Sequence, residues 1–351
     1  MFYRGACKVI QEHILKKFDG RSILVTGGTG LIGRQVVKIL CDAGARVRIV
    51  SLDRVVVENR AEHVLGDLTR FEFCKEVTRE MDCVCHLAGI KGSAAVSTSM
   101  VATHFVPTLM MNTNVLEACL VNEVPRVVYT SSIGAYASTD IFRESDYRLD
   151  SLPMDFAGWA KRVAELQVQA YHTQYGLESF AVVRPSNVYG PGDNFDPENA
   201  MVIPSLMHRI RRGEDPLVVW GDGSAIRDFA YSRDVAEGVV LALHHGTNAG
   251  FVNLGSGREC TIRELIETLN AFLDFRYEFD ASKPTGYPKR VMDISLARER
   301  IGYDPSTSLL DGLKETWAWY VEHEDEHKSK KNYFLQTASV GRAAAVAARE
   351  K

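Results

Sequence analysis

The sequence predicts an α/β protein: a doubly wound parallel sheet with helices on both faces, followed by a smaller mixed α/β lobe. Three observations predict it. Short apolar runs alternate with stretches of helical periodicity through the first half of the chain, the pattern of strands joined by crossover helices. A glycine-rich turn, Thr26-Gly27-Gly28-Thr29-Gly30-Leu31-Ile32-Gly33, joins the first apolar run to the first helical stretch. Beyond residue 184, Pro- and Gly-rich segments around 185–200, 213–224 and 283–288 interrupt the alternation and suit loops over a ligand cleft.

In chain order, residues 1–20 form a polar leader read as helical. The run Arg21 to Thr26 is the first strand, and Leu31 to Ala43 has helical spacing. Ala45 to Leu52, Cys83 to Ala88 and Arg126 to Ser131 read as further strands, with helices near 70–80 and 100–122 between them. A helix is expected over Gly158 to Gln174, a strand over Ser179 to Arg184, and helices over Ile262 to Phe272 and Leu309 to Glu322. The resulting division is a leader (1–20), a main α/β domain (21–184), a lobe (185–322) that returns in part to the main sheet, and a charged, then Ala-rich tail (323–351). The tail is expected to be mobile or an expression remnant. The run Arg209 to Arg212 reads as a solvated helix end.

Composition narrows the function classes. With 25% charged residues and a formal net charge of -4, the 351-residue chain has no basic surplus with which to grip a phosphate polymer, so nucleic acid is not an expected partner. No apolar run reaches the roughly 18 residues needed to span a bilayer, and Met1 to Gly20 mixes charged residues through its apolar ones, so neither a membrane span nor a signal peptide is expected. The seven cysteines (7, 41, 74, 83, 85, 119 and 260) cannot all pair, and several lie among apolar residues, which points to a reducing cytoplasm. Cys83, Cys85 and His86 invite a metal reading, but no second ligand pair stands at characteristic spacing, so no metal is expected.

The glycine turn holds the first functional chemistry. Gly27, Gly30 and Gly33 sit where a strand becomes a helix, so that backbone amides and the positive helix end can meet a pyrophosphate. Asp53 ends the second strand about 20 positions on, where it can accept hydrogen bonds from an adenosine ribose. This is a Rossmann-type dinucleotide site. Asp53 would repel a 2′-phosphate and favours NAD, while Arg54 beside it would welcome that phosphate and leaves NADP open. Asp67-Leu68 lies where adenine is approached in this fold, with an exposed loop acid as the alternative.

With these glycines in place the chain resembles the extended short-chain dehydrogenases of the NAD-dependent epimerase/dehydratase family over roughly residues 21–322. The marks are Thr26 to Gly33, His86-Leu87-Ala88, Thr130-Ser131-Ser132 with Tyr136, Gly158-Trp159-Ala160-Lys161, and Arg184-Pro185-Ser186-Asn187-Val188-Tyr189-Gly190-Pro191. Within that family, Asn187 to Asn199, Val219-Trp220-Gly221, Arg227-Asp228-Phe229 and Lys283-Pro284 through Lys289-Arg290 to Asp293 are similar to the GDP-L-fucose synthase-like branch. The resemblance implies a nucleotide-sugar substrate, preferably a GDP-sugar, and a homodimer built from the helices near 100–120 and 157–174. It places Gly27, Gly30, Leu31, Ile32, Gly33, Asp53, Asp67, Leu68, Leu87, Ala88 and Lys161 against the cofactor. It places Lys91, Ser132, Asn187, Val202, Trp220, Arg227 and Lys283 against the substrate. Arg227 and Lys283 bring positive charge in loop contexts where a diphosphate could be held, and Trp220 offers a flat face. The alternatives stay open: Arg227 pairing with Asp228 or Asp222, Trp220 in the core, Asn187 bracing its loop.

In this family a Tyr acts as general acid and base, a Lys lowers its pKa and holds the ribose, and a Ser binds the reacting oxygen. Ser132 and Lys161 match the Ser and Lys positions. Four residues before Lys161, where one helical turn would place the phenol, stands Ala157. Other departures narrow the chemistry: Ile133 and Gly134 follow Ser132 where the dehydratases carry acids, and Gly134 and Met201 stand where the fucose-synthase-like branch has a Cys and a His for epimerisation. The expectation is an epimerase or ketoreductase acting at a sugar carbon, preferably C4. The alternatives are altered chemistry such as elimination and a catalytically silent binder of NAD or a nucleotide sugar.

Overall fold

The structure, a computed structural model, describes residues 10–92, 98–248 and 250–330. Seven parallel strands form the central sheet: β1 (Ser22–Thr26), β2 (Arg46–Ser51), β3 (Glu62–Leu65), β4 (Cys83–His86), β5 (Arg126–Thr130), β6 (Phe180–Pro185) and β7 (Phe251–Leu254). Their order across the sheet is β7-β6-β5-β4-β1-β2-β3. Strands β1, β4, β5 and β6 are buried almost throughout and read as near-continuous apolar runs, as a parallel sheet covered on both faces requires.

The helices that cover the sheet are α1 (Gly33–Asp42), α2 (Phe71–Thr78), α3 (Val101–Val121) and α4 (Phe156–Tyr175) in the first part of the chain. Later come α5 (Val202–Arg211), α6 (Ser232–His245), α7 (Ile262–Leu273) and α8 (Leu309–Glu322). One face of the sheet packs Val36, Val37 and Leu40 of α1 with Val235, Val239 and Val240 of α6. The other packs Val115 and Leu116 of α3 with Ala164, Val168 and Tyr171 of α4. A third core, around Phe195, Met207, Leu265, Leu269 and Leu313, holds the C-terminal lobe together. Among the described residues no helix is long and apolar enough to cross a membrane.

The expected elements are present within a few residues, and others join them, β3, β7, α5 and α6 among them. Strand β3 is a short edge strand whose residues are half-exposed or exposed, so it lacks an apolar run. Strand β7 has four residues and exists through its pairing with β6, as in Val252↔Val183, a contact far away in sequence. Helix α6 is buried on almost all sides, which erases the one-sided periodicity that marks a surface helix. Helix α5 comes after a loop with no strong start signal, and its N-cap Met201 makes no capping bond.

The ends of the chain differ from expectation. The leader contains one helical turn, Glu12–Leu15, followed by Phe18 buried against the core, and residues 1–9, Cys7 among them, lie outside the described residues. From His323 to Lys330 the chain packs back onto the body: His323 stacks on Trp319 with ring centroids 4.7 Å apart, and Glu326 pairs with Arg34. These eight residues are therefore not the free tail expected, and 331–351 lie outside the described residues. The run at Arg209–Arg212 ends α5, with Arg209 donating to Glu214 and Arg211 paired with Glu324.

Candidate active site

The strand order reverses between β1 and β4, and the chain leaves the carboxyl ends of neighbouring strands in opposite directions there, opening a crevice. A cavity of about 640 Å³ lies along it, within the size range of ligand sites. Its floor is built by the segments that leave the carboxyl ends of the strands: Gly27 to Gly33 after β1, Leu52-Asp53 after β2, Gly66 to Leu68 after β3, Leu87-Ala88 after β4, and Ser131-Ser132 after β5.

At the glycine turn the three glycines have separate reasons. Gly27 has φ +68°, and a Cβ there would lie 2.8 Å from the backbone of Ala88. A Cβ on Gly33 would lie 2.1 Å from the Gly27 carbonyl oxygen, so the turn can only close on a glycine. A Cβ on Gly30 would meet only that same oxygen, at 3.2 Å, and the residue lines the cavity. The turn is thus a cradle that leaves room for a group approaching its amides, and it fits a dinucleotide pyrophosphate. Leu31 and Ile32 line the same wall, and the Thr29 hydroxyl donates to Asp53 at 3.3 Å. Asp67 also lines the cavity, although its carboxylate accepts from the amide and hydroxyl of Thr69. Leu68 is buried with its side chain in the core. Arg54 is exposed and does not line the cavity, whereas Asp53 does.

The positions that the resemblance assigns to catalysis line one wall of the cavity. Helix α4 begins against the short turn Ile133–Ala135, so closely that a Cβ on Gly158 would stand 1.9 Å from the Gly134 carbonyl oxygen. That contact brings Ser132, Ala157 and Lys161 to one wall of the cavity. The Ser132 side chain accepts from the Gly134 amide at 3.1 Å, and Asp155 caps α4 by accepting from the Gly158 amide at 2.7 Å. The Lys161 ammonium donates to the Thr130 carbonyl at 2.8 Å and lies over the Tyr129 ring. Burial lowers its pKa to about 8, so it stays mostly charged at neutral pH and gives up its proton only above about pH 8. Beneath it His86 is held neutral, its pKa lowered to about 3 by burial and then by the Lys161 charge, with Thr26 and Asn112 fixing its ring. Glu165 braces the floor, accepting from Ser131 and from Arg184 in a buried ion pair. The Thr130 hydroxyl is buried without a partner. Tyr189 is the one tyrosine among the described residues lining the cavity, and its hydroxyl points away to the Leu309 carbonyl at 3.4 Å.

Of the residues expected against the substrate, Lys91, Ser132, Asn187 and Val202 line the cavity. Lys91 pairs with Asp193 at 2.9 Å, and Asn187 braces the Asp228 carbonyl at 3.0 Å while facing the cleft. Arg227 pairs with neither Asp228 nor Asp222. Asp228 is buried and accepts from Ser256, and Asp222 accepts from Ser224. Arg227 instead stands in register with Arg290 across two parallel strands, Ile226–Arg227 and Lys289–Met292. Burial, and the charge of Arg290, lower the Arg227 pKa. Arg290 lines the cavity, lies 3.7 Å from the centroid of the Tyr287 ring, and has a buried Nε without a partner. Trp220 is 65% exposed and so is not core, and none of Trp220, the exposed Lys283 and Arg227 lines the cavity, where only Arg290 of the arginine pair does. Sequence reasoning noted Arg290 only as part of a motif. The strand register that pairs it with Arg227 is a long-range property with no local signal.

Fold and cleft define a Rossmann-type dinucleotide-dependent enzyme architecture whose ligand site lies at the topological switch point. Residues 23–255 match the profile of the NAD dependent epimerase/dehydratase family, and the chain belongs to it. The chain is 33% identical over 318 residues to a probable GDP-L-fucose synthase of Oryza sativa subsp. japonica, covering 87% of this chain and 93% of the relative. It is 32% identical over 326 residues to a dTDP-4-dehydro-6-deoxy-D-allose reductase of a Streptomyces species, covering 88% of this chain and 98% of the relative. Among solved structures, an epimerase of Methanothermobacter thermautotrophicus superposes with a TM-score of 0.81 at 26% identity, covering 91% of this chain and 97% of that one. The cofactor expectation of NAD agrees with the family.

Proposed function

We propose that the chain is an NAD(P)-dependent nucleotide-sugar epimerase or ketoreductase, working at C4 of a GDP-sugar. The observation that carries this reading is the meeting of Ser132 and Lys161 on one wall of a cleft that runs from the glycine turn to Arg290. The bound nicotinamide supplies the hydride chemistry. The protein's part is to hold both ligands: glycine-turn amides and Asp53 toward the dinucleotide, Ser132 toward the reacting oxygen, Lys161 toward the nicotinamide ribose. Arg290 faces the diphosphate of the sugar nucleotide, with Arg227 behind it on the neighbouring strand. The name of the GDP-L-fucose synthase supports a GDP-sugar, and that of the 4-dehydro-sugar reductase supports a keto sugar as substrate.

Ala157 takes the place that the family resemblance assigns to a phenol, one helical turn before Lys161. Turnover with a panel of nucleotide sugars and NADH or NADPH, on this protein and on Ala157→Tyr, tests the reading. The tyrosine variant gains about 10²-fold or more, the scale of one positioned acid-base group. Loss of activity in Ala157→Tyr with dinucleotide binding intact points to altered chemistry that uses the space, and no product from either protein points to a silent binder.

The chain works as a cytoplasmic homodimer through α3 and α4, where Val106, Met110, Phe156 and Trp159 are exposed apolar side chains while Ala160, Ala164 and Val168 face the core. Sedimentation velocity showing a monomer at all concentrations rejects this association.

A further inference from the structure

Beyond α8 the chain runs back to the cleft and places Lys330 in its wall against Gly192, one carboxylate away from the Arg34 that donates to the glycine turn. The Lys330 ammonium lies 3.1 Å from the Gly192 carbonyl oxygen and 3.1 Å from Glu326. The same Glu326 oxygen is 2.5 Å from Arg34, whose guanidinium also donates to the Thr29 carbonyl in the glycine turn and lies over Trp319. Arg34 and Lys330 share the Glu326 carboxylate, all three side chains are at most 20% exposed, and the buried Asp193, paired with Lys91, is the other carboxylate acting on Lys330. Three cations, Arg34, Lys91 and Lys330, thus face two carboxylates, Glu326 and Asp193, and the remaining positive charge, partly stripped of water, favours a bound anion. The Arg34 Nε is buried with no partner, and Gly192, at φ +85°, leaves no room for a side chain against it. Burial, and then the Arg34 charge, lower the Lys330 pKa, as expected where positive charge is in excess.

We propose that Lys330 is a cofactor-binding residue: its ammonium, held by Glu326 and Gly192, meets a diphosphate bound over Gly30 and Leu31, so that the segment Glu326–Lys330 forms one wall of the dinucleotide site. This rests on the dinucleotide reading of the glycine turn. The glycine turn makes the pyrophosphate of the dinucleotide the expected diphosphate, with that of a nucleoside diphosphate in the substrate half as the other source.

Titrations of the full chain with NADH, GDP and adenosine, at two salt concentrations, on wild type, Lys330→Met and Lys330→Arg test it. Lys330→Met weakens NADH binding about tenfold and flattens its salt dependence, as expected for losing one charge-assisted contact, while GDP and adenosine affinities hold and Lys330→Arg stays within about threefold of wild type. Unchanged NADH affinity in Lys330→Met overturns the proposal. So does loss of GDP affinity in place of NADH, which assigns the contact to the other diphosphate, and so does loss of adenosine affinity, which shows a structural role. A wild-type protein that binds no dinucleotide overturns the cofactor reading itself, before any variant is compared.

Discussion

The two ends of the cleft are built from different materials. The end proposed for the cofactor is made largely of backbone: at Gly27 and Gly33 an added Cβ would stand 2.8 Å from Ala88 and 2.1 Å from the Gly27 oxygen, while Gly30 faces the cleft. The end proposed for the substrate is made of side chains carried on separate short strands and loops, such as Lys91, Asn187 and Arg290, with Arg227 in register behind Arg290. Backbone sites depend on local conformation, so substitution within them changes folding. Side-chain sites depend on distant segments coming together, so substitution there changes binding while the fold persists.

The largest expected effect is on Gly33. Alanine there puts a Cβ 2.1 Å from the Gly27 oxygen, which the tight turn cannot accommodate, and costs at least about 3 kcal/mol of stability in denaturant unfolding. Gly30→Ala separates fold from ligand. Its Cβ meets one atom at 3.2 Å and faces the cleft, so stability falls by about 1 kcal/mol or less while NADH affinity drops at least about tenfold. Equal stability losses at the two positions break the distinction between a structural and a ligand-facing glycine.

Lys161 stands between the two ends and gives an effect of similar size with a pH signature. Burial holds its pKa near 8, against a usual value of 10.5. Between those values the unfolded chain binds more protons than the folded one, so folded-state stability rises with pH across that window. Measured against Lys161→Met, which removes the titration, wild type gains up to about 3 kcal/mol on going from pH 7.5 to pH 10.5. A constant difference across that range shows that Lys161 is not desolvated in the free protein. The ammonium itself is lost over the same window, so the affinity for NADH that depends on it declines above about pH 8.

The same contrast explains what could be read from the residues alone. The strands ending at Thr26, Ser51 and Thr130 and the glycine turn were legible because apolar runs and glycine spacing are local. Ser132 and Lys161 were legible through family resemblance, and the structure brings them together by a contact that Gly158 alone permits. Strands β3 and β7 were not, because their stability comes from neighbours in the sheet and not from their own composition. The pairing of Arg227 with Arg290, and the return of Glu326–Lys330 to the cofactor end, depend on tertiary placement. Charge-rich sequence after His323 looked solvated because nothing local shows that Glu326 has Arg34 as a partner almost 300 residues away. Trp220 and Lys283 had suggestive chemistry in the sequence, yet both stand on the surface outside the cavity.

The smallest effect expected on stability, and the most telling in sign, concerns the arginine pair. In the free protein Arg227 and Arg290 are partly buried like charges with no carboxylate hydrogen-bonded to either guanidinium among the described residues. Their repulsion is a cost to the fold that a bound diphosphate relieves. Arg290→Met keeps much of the side chain's packing on Tyr287 and removes one charge, so the ligand-free protein should unfold at slightly higher denaturant, by about 0.5 to 1 kcal/mol. The same variant should bind GDP about tenfold more weakly, since a forked contact to phosphate is lost, with NADH affinity unchanged. Stability and affinity then move in opposite directions, which a purely structural arginine cannot produce. A variant that loses both together means that Arg290 braces the lobe through Tyr287, and the substrate end is then held by its fold as closely as the glycine turn.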